Sequence, residues 1–215
     1  MFDKMREDIR TICERDPAAR SALEVMLLYN GYKAVRSHAR AAFFYRHGMK
    51  FLARWISQRC VRRTNIEIHP AAKLGRRFFI DHGTGVVIGE TTEIGDDCTI
   101  YQGVTLGGTG KDKGKRHPTL GNNIMVGAGA KVLGPIHIGD NVRIAAGAVV
   151  LTDIPDNCTA VGIPARVVRK NGFRVGELDQ IHVPDPVAQE LQRLREEVES
   201  LKKNRKKEGE NHEDL

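Results

Sequence analysis

GVVIGETTEIGDDCTIYQGVTLGG, residues 85–108, decides the fold. Ile88, Ile94, Ile100 and Leu106 stand six apart in it, and Gly89, Gly95 and Gly107 follow three of them. The same spacing resumes at Leu120 and runs through Val126, Val132, Ile138, Ile144 and Val150. A period of six is neither the 3.6 of a helix nor the 2 of a strand. It fits a left-handed parallel β-helix, in which three short strands make one triangular coil of about 18 residues. The aliphatic side chain points into a narrow core, and the small residue after it lets the backbone turn a corner.

Working outward, Ile68, Leu74 and Ile80 form a first triplet, and the pattern is interrupted twice. Between Ile80 and Ile88 the register slips by two residues, across Asp81-His82-Gly83-Thr84-Gly85. Between Leu106 and Leu120 there are fourteen residues where twelve would keep register. The glycine- and lysine-rich stretch 108–118 cannot fill a core, so it is expected to leave the coil as an excursion loop. Irregularities on a rigid scaffold are where binding and catalytic groups concentrate. The repeat fades at Pro155, Gly162 and Pro164, which gives about five coils.

The expected organisation is an α-helical N-terminal domain over 1–65, the β-helix catalytic domain over 66–170, and a linker, an amphipathic helix and a charged tail over 171–215. In the first region Met5, Ile9, Ile12 and Cys13 mark one helical face. Asp16-Pro17 reads as the start of a second helix that stops at Asn30-Gly31. A third runs from Tyr32 to His47, and a fourth from Met49 to Arg62 with Phe51, Leu52, Trp55 and Ile56 as its apolar side. These faces call for a partner, either the β-helix or another subunit. Near the end, Val187, Leu191, Leu194, Val198 and Leu201 make a short heptad seam.

The 215 residues carry 34 Lys and Arg against 27 Asp and Glu, a formal charge of +7. From Lys33 to Arg77 there are twelve cations and one acid, Glu67, which reads either as a solvated basic surface or as a field for an anionic ligand. Aromatic residues make up only 6%, which leaves little stacking surface for single-stranded nucleic acid. Cys13, Cys60, Cys98 and Cys158 have neither zinc nor disulfide spacing. They read as packing residues, Cys98 and Cys158 in the coils and Cys13 and Cys60 on helical faces. No signal-peptide core or bilayer-length apolar run is present, so a cytoplasmic setting is expected, with no membrane.

His82 stands at the register slip and His117 at the base of the excursion. A carboxylate on one imidazole nitrogen would fix the tautomer and leave the other nitrogen as base; both Asp81 and Glu67, fifteen residues before His82, are candidates. A thin solenoid encloses no pocket, so sites are expected in grooves between the subunits of a symmetric oligomer, with His82 and His117 from neighbouring chains.

The chain resembles the serine O-acetyltransferases, a hexapeptide-repeat acyltransferase family, over roughly residues 10–170. The resemblance rests on Asp16-Pro17-Ala18, Ile68-His69-Pro70-Ala71-Ala72-Lys73, Asp81-His82-Gly83-Thr84-Gly85 and Gly89-Glu90-Thr91. It extends through Gln102-Gly103-Val104-Thr105-Leu106-Gly107-Gly108-Thr109-Gly110, Arg116-His117-Pro118 and Gly162-Ile163-Pro164-Ala165-Arg166. It implies transfer of the acetyl group of acetyl-CoA to L-serine, without a metal, as the step that commits serine to cysteine synthesis. It implies His82 as general base with Glu67 as its carboxylate, and Asp81 and His117 beside serine. It further implies Asp16 and Arg116 on the serine ammonium and carboxylate, and Gly108, Ala128, Gly129, Ala146 and Gly147 along the pantetheine arm. Feedback by L-cysteine, a homotrimer or dimer of trimers, and a complex with cysteine synthase belong to the same family picture. The chain's own end, Glu213-Asp214-Leu215, departs from the family's terminal isoleucine.

Three other readings compete. An acetyltransferase for sugar or antibiotic hydroxyls would share the base chemistry but lack the Asp16 and Arg116 clamp. A β-helix metalloenzyme hydrating CO2 needs three converging histidines, and Asn122 stands five residues after His117. A nucleic-acid protein would need a recognition motif, and none is present.

Overall fold

The computed structural model describes residues 2–110, 113–170, 193–195 and 197–198. Four helices lead: α1 (Phe2–Arg15), α2 (Ala22–Leu28), α3 (Asn30–Arg46) and α4 (Lys50–Thr64). Fifteen strands follow: β1 (Ile66–Ile68), β2 (Lys73–Leu74), β3 (Phe79–Ile80), β4 (Val86–Ile88), β5 (Glu93–Ile94), β6 (Thr99–Ile100), β7 (Thr105–Gly107), β8 (Thr119–Leu120), β9 (Met125–Val126), β10 (Lys131–Leu133), β11 (His137–Ile138), β12 (Arg143–Ile144), β13 (Val149–Val150), β14 (Cys158–Val161) and β15 (Arg166–Lys170). Through β13, every third strand falls in the same sheet. The first sheet is ordered β1-β4-β7-β10-β13, the second β2-β5-β8-β11, and the third β3-β6-β9-β12-β14-β15. All neighbours are parallel except β14 and β15. The molecule is thus a parallel β-solenoid of about five turns, with three faces and three corners.

The hexad aliphatics all point inward: Ile88, Ile100, Leu106, Val126, Val132, Ile138, Ile144 and Val150 are almost wholly buried. A second inward position lies two residues before each, filled by Cys98, Val104, Ile124, Ala130, Val142 and Ala148. Cys98 and Cys158 are therefore core residues, and burial pushes the Cys98 thiol up to about 11. Cys13 is exposed rather than part of a packed face, and Cys60 packs partly against the core.

Register separates the two interruptions. Ile66 pairs with Val86, a coil of twenty residues, whereas Val87 pairs with Thr105, a coil of eighteen. Leu106 pairs with Val132 and Ile94 with Leu120, steps of twenty-six, so Leu120 sits on the face directly after Leu106. The excursion is an insertion of eight residues into an eighteen-residue coil, not a two-residue departure from twelve. Both interruptions fall at corners, where no ladder hydrogen bond has to be broken.

The helices depart from the sequence reading at three places. Asp16 does not cap a helix; its Oδ1 accepts the Ala18 N–H in a turn, and α2 starts later with Ser21 as N-cap, its hydroxyl accepting from Glu24 N. Gly31 does not end a helix but lies in the first turn of α3, where a Cβ would sit 2.0 Å from the Ile80 carbonyl oxygen. Helix α4 meets the solenoid through Ala53 and Ser57, whose hydroxyl donates to the Ile68 carbonyl (2.9 Å). Of its predicted apolar side, Phe51 (87% exposed) and Trp55 face outward, while Leu52 and Ile56 are half-buried. Asn65, in the left-handed conformation at φ 56°, ends α4 and turns the chain into β1.

Ion pairs fasten α1 to the corner between the second and third sheets. Arg77 pairs with Asp97 and Glu7, Arg76 with Glu7, and Arg15 with Asp97. Further along that corner Asn123, Asn141 and Asn157 form a side-chain ladder. Of the seam proposed from sequence, only Leu194 and Val198 are described, in helical conformation and exposed; its other residues and the linker lie outside the described residues.

Gly31→Ala should destabilise the fold by about 1–3 kcal/mol, because the added methyl meets backbone. Gly114→Ala, with open space around it, should leave the thermal midpoint unchanged. Thermal unfolding followed by circular dichroism compares them.

Candidate active site

The candidate residues form two groups, at the two edges of the first sheet. The first is at the corner joining the third sheet to the first, just after β3. His82, exposed, takes the left-handed conformation there at φ 55°. Asp81 is half-buried; its carboxyl is engaged by the His82 backbone N–H, and burial raises its pKa above the usual carboxylate value. The charge of Asp16 acts in the same direction. Tyr29 donates its hydroxyl to Asp16 Oδ2 (2.7 Å), and burial together with that bond pushes the phenol up to about 12. Asp16 thus comes from the α1–α2 turn to stand beside Asp81.

Below His82 the same corner repeats in each coil. Gly85, Gly103, Gly129 and Gly147 stack in a column, all with φ between 69° and 76°. Gly103 N donates to Thr84 O, Gly129 N to Gln102 O and Gly147 N to Ala128 O, each at 2.8 Å. A Cβ on Gly129 or Gly147 would meet nothing within 4 Å, so the column is open on its outer side. Ala128 and Ala146 lie beside it, and Ala146 is exposed. An extended chain of amide character can lie along such a column against bare backbone. Gly108 is not in it; a Cβ there would be 3.1 Å from the Arg116 carbonyl oxygen and 3.3 Å from His117 Nε2, at the other edge of the sheet.

The second group is at the corner between the first and second sheets, where the excursion returns. His117 is buried, with its ring lying against Gly89, where a Cβ would fall 1.9 Å from His117 Cδ2. Its Nδ1 accepts the Thr91 N–H (3.2 Å) and lies 2.9 Å from the Thr91 hydroxyl. Burial first, then the positive charge of Arg116, holds its pKa below the ordinary histidine value. Arg116 pairs with Glu90 (2.5 Å), which keeps the Glu90 carboxyl below its usual range. Tyr45 donates to Glu90 Oε1 (3.5 Å), and His69 stacks edge-on against Tyr45 (5.8 Å). His69 accepts the Ala71 N–H at Nδ1 (3.1 Å) and is depressed mainly by burial.

Glu67, half-buried in the middle of β1, lies 4.0 Å from Arg54. Among the described residues it forms no hydrogen bond to His82, and no hydrogen bond or ion pair joins His82 to His117. His82 comes just before β4, and Gly89-Glu90-Thr91, which meets Arg116 and His117, comes just after it, so the two groups stand at opposite edges of the first sheet. Sequence reasoning assigned no role to Tyr29, Tyr45, His69, Glu90 or Thr91. The segment Gly89-Glu90-Thr91 was visible as a motif, but the partners of Glu90 and Thr91 lie twenty-six residues on. Among the described residues no three His, Cys, Asp or Glu converge as metal ligands would, and no helix is long and apolar enough to cross a membrane.

A hexapeptide solenoid with a histidine at the head of a backbone-lined corner defines an acyltransferase of the hexapeptide-repeat class. The family model described as "Bacterial transferase hexapeptide (six repeats)" matches residues 117–152, and "Serine acetyltransferase, N-terminal" matches residues 1–37. The serine acetyltransferase of Bacillus pumilus is 55% identical over 204 residues, 94% of each chain. Among solved structures, the Brucella abortus serine acetyltransferase in complex with coenzyme A superposes with a TM-score of 0.77 at 42% identity, covering 80% of this chain and 68% of that one. The Neisseria gonorrhoeae enzyme in complex with serine gives 0.76 at 41%, covering 78% and 69%. A serine acetyltransferase complex with cysteine gives 0.77 at 41%, covering 79% and 66%. The chain belongs to the serine acetyltransferase family. That membership sets aside the sugar, metalloenzyme and nucleic-acid readings.

Gly89→Ala should leave the solenoid folded but displace the His117 ring. Activity should fall at least about tenfold, while thermal unfolding stays close to that of the parent; full activity would show that the ring position is unimportant.

Proposed function

We propose that His82 is the general base in this chain's reaction, the transfer of the acetyl group of acetyl-CoA to the hydroxyl of L-serine, and that each site is completed by two subunits. The reaction yields O-acetyl-L-serine and CoA, the first step from serine to cysteine. One observation carries the two-subunit reading. Groups suited to an ammonium, Asp16 and Asp81, stand with His82 at one corner, and groups suited to a carboxylate, Arg116 and His117, stand at another. A free amino acid has both ends to be held, about 5 Å apart or less. A neighbour's second corner laid against the first brings the two halves to that distance. A homotrimer, alone or doubled into a dimer of trimers, provides this contact with closed symmetry.

The chemistry follows from the groups. A serine hydroxyl is a weak nucleophile at neutral pH. His82 takes its proton as the oxygen attacks the thioester carbonyl. The carbonyl oxygen becomes an oxyanion, which backbone N–H groups at the corner stabilise. Collapse expels the CoA thiolate, which receives the proton from the His82 imidazolium, so the base is regenerated without a covalent enzyme intermediate. The serine ammonium between Asp16 and Asp81 relieves the repulsion of those carboxyls. Glu67 lies against Arg54 in the single chain and is the carboxylate the family resemblance assigns to His82; in this reading it orients the imidazole only once the site is assembled, with Asp81 on the ammonium. Gly108 completes the carboxylate side, while Ala128, Gly129, Ala146 and Gly147 give the pantetheine arm a backbone surface. L-Cysteine, with the same two charged ends, competes for the serine site as a feedback inhibitor. The cytoplasm, where acetyl-CoA is used in biosynthesis, is the setting this reading calls for.

His82→Ala should cut turnover by about 10²–10⁴-fold with the fold intact. Near-normal thiol release from acetyl-CoA with L-serine would sink the assignment. Mixing His82→Ala chains with Arg116→Ala chains tests the shared site. About one interface in four should then carry both intact corners, and activity at low serine should exceed that of either variant alone; a site within one chain gives no such gain. Arg116→Ala alone should raise the serine KM at least about tenfold and leave the acetyl-CoA KM near its parent value; equal rises in both would count against a carboxylate clamp.

A further inference from the structure

Thr91 hydrogen-bonds three consecutive residues of the excursion loop, Lys115, Arg116 and His117. Its hydroxyl oxygen accepts the backbone N–H of Arg116 and of His117, both at 3.1 Å. Its carbonyl accepts from Lys115 Nζ (2.6 Å). Its backbone N–H points at His117 Nδ1 (3.2 Å), and the same hydroxyl lies 2.9 Å from that nitrogen. A backbone N–H can only donate, so His117 Nδ1 must be an acceptor and carry no proton. The hydroxyl has both acceptor positions occupied by Arg116 and His117, and its single hydrogen is free for Nδ1 as well. The ring proton of a neutral His117 is therefore on Nε2. That nitrogen is turned toward Gly89 and Gly108, and Gly108 also lies against Arg116.

We propose that Thr91 is a positioning residue, which fixes His117 in the Nε2–H tautomer and aims that N–H at the carboxylate of the amino-acid substrate. The proposal rests on the serine reading of the site and deepens it. It divides the labour of the two histidines: His82 is free to accept a proton, while His117 presents one as a hydrogen-bond donor and is barred from acting as the base. The charged groups around His117 agree with this. Arg116 and Lys115 oppose its protonation, while Glu90 favours it but is taken up by Arg116, and His69 is also nearby. A neutral Nε2–H and the Arg116 guanidinium then form one donor surface for a carboxylate, held to the scaffold by Thr91 and Glu90.

The test uses the full-length oligomer. Selective ¹⁵N labelling of histidine, with His117 assigned by His117→Gln, should show an unprotonated Nδ1 and a protonated Nε2 at neutral pH; a protonated Nδ1 overturns the proposal, whatever substrate the enzyme uses. Thr91→Val keeps the shape and removes the hydroxyl. It should raise the serine KM about tenfold with the acetyl-CoA KM unchanged within about twofold, and Thr91→Ser should restore parent values. An unchanged serine KM in Thr91→Val, an equal rise in both KM values, or no rescue by serine overturns it. If Thr91→Val does not fold, Thr91→Cys, with a weak thiol donor and acceptor, is read in the same way. The nitrogen shifts do not depend on serine being the acceptor, so a failure of the serine reading would appear in the acceptor assay and not in the spectrum.

Discussion

The structure depends on the stacking of inward aliphatic side chains from coil to coil. Strands of two or three residues carry too few hydrogen bonds to hold a sheet by themselves. They are held because Ile88 lies over Leu106, Leu106 over Val132 and Val132 over Val150, with Ile94 over Leu120 and Ile100 over Val126 on the other faces. Each step buries an aliphatic group worth about 1.5–3 kcal/mol. This constrains where the chain can depart from its period. A residue added within a strand would turn every later side chain to the wrong face. Residues added at a corner leave the stack untouched, and both departures are at corners.

The chemistry follows from that restriction. The extra two residues of the first coil put Asp81 and His82 on one edge of the first sheet. The eight-residue excursion brings Arg116 and His117 back on the other edge. In the two-subunit proposal, a site for an amino acid and a long thioester is assembled between stacks that are each too slender to surround a ligand. Asp16 and Asp81 stand with His82 at one corner, and Arg116 and His117 stand with Glu90 at the other.

How much of this was legible in the sequence depends on the range of the interaction. The hexad showed the coils because Ile, Leu and Val recur at one position. The second inward position did not announce itself, since Cys98, Val104, Ile124 and Ala130 share burial and not residue type. Gly31 looked like a helix end and is a close-approach residue, because Ile80, which it meets, is forty-nine residues away. Asp16-Pro17 has the composition of a helix start, yet Asp16 is drawn to Tyr29 instead. The apolar side of α4 was visible, but not that Ala53 and Ser57 would be the face against the solenoid. His82, His117, Arg116 and Asp16 stood out because they sit at breaks or in family motifs. Thr91 did not, since its partners reach it only after the chain has gone round a coil and through the excursion.

The far end of the stack has its own consequence. After Ile163 and Pro164 the chain doubles back, and β15 lies antiparallel on β14 as the last strand of the third sheet. A parallel solenoid with bare final strands would offer its rim to the first coil of another molecule, and such contacts propagate without limit. Reversing the final strand changes the hydrogen-bonding pattern at that rim, and Arg166, Arg169 and Lys170 place positive charge on it. At the opposite end α3 and α4 pack against the first coil. The repeat therefore has a built-in stop at both ends, which favours closed assemblies and discourages fibres.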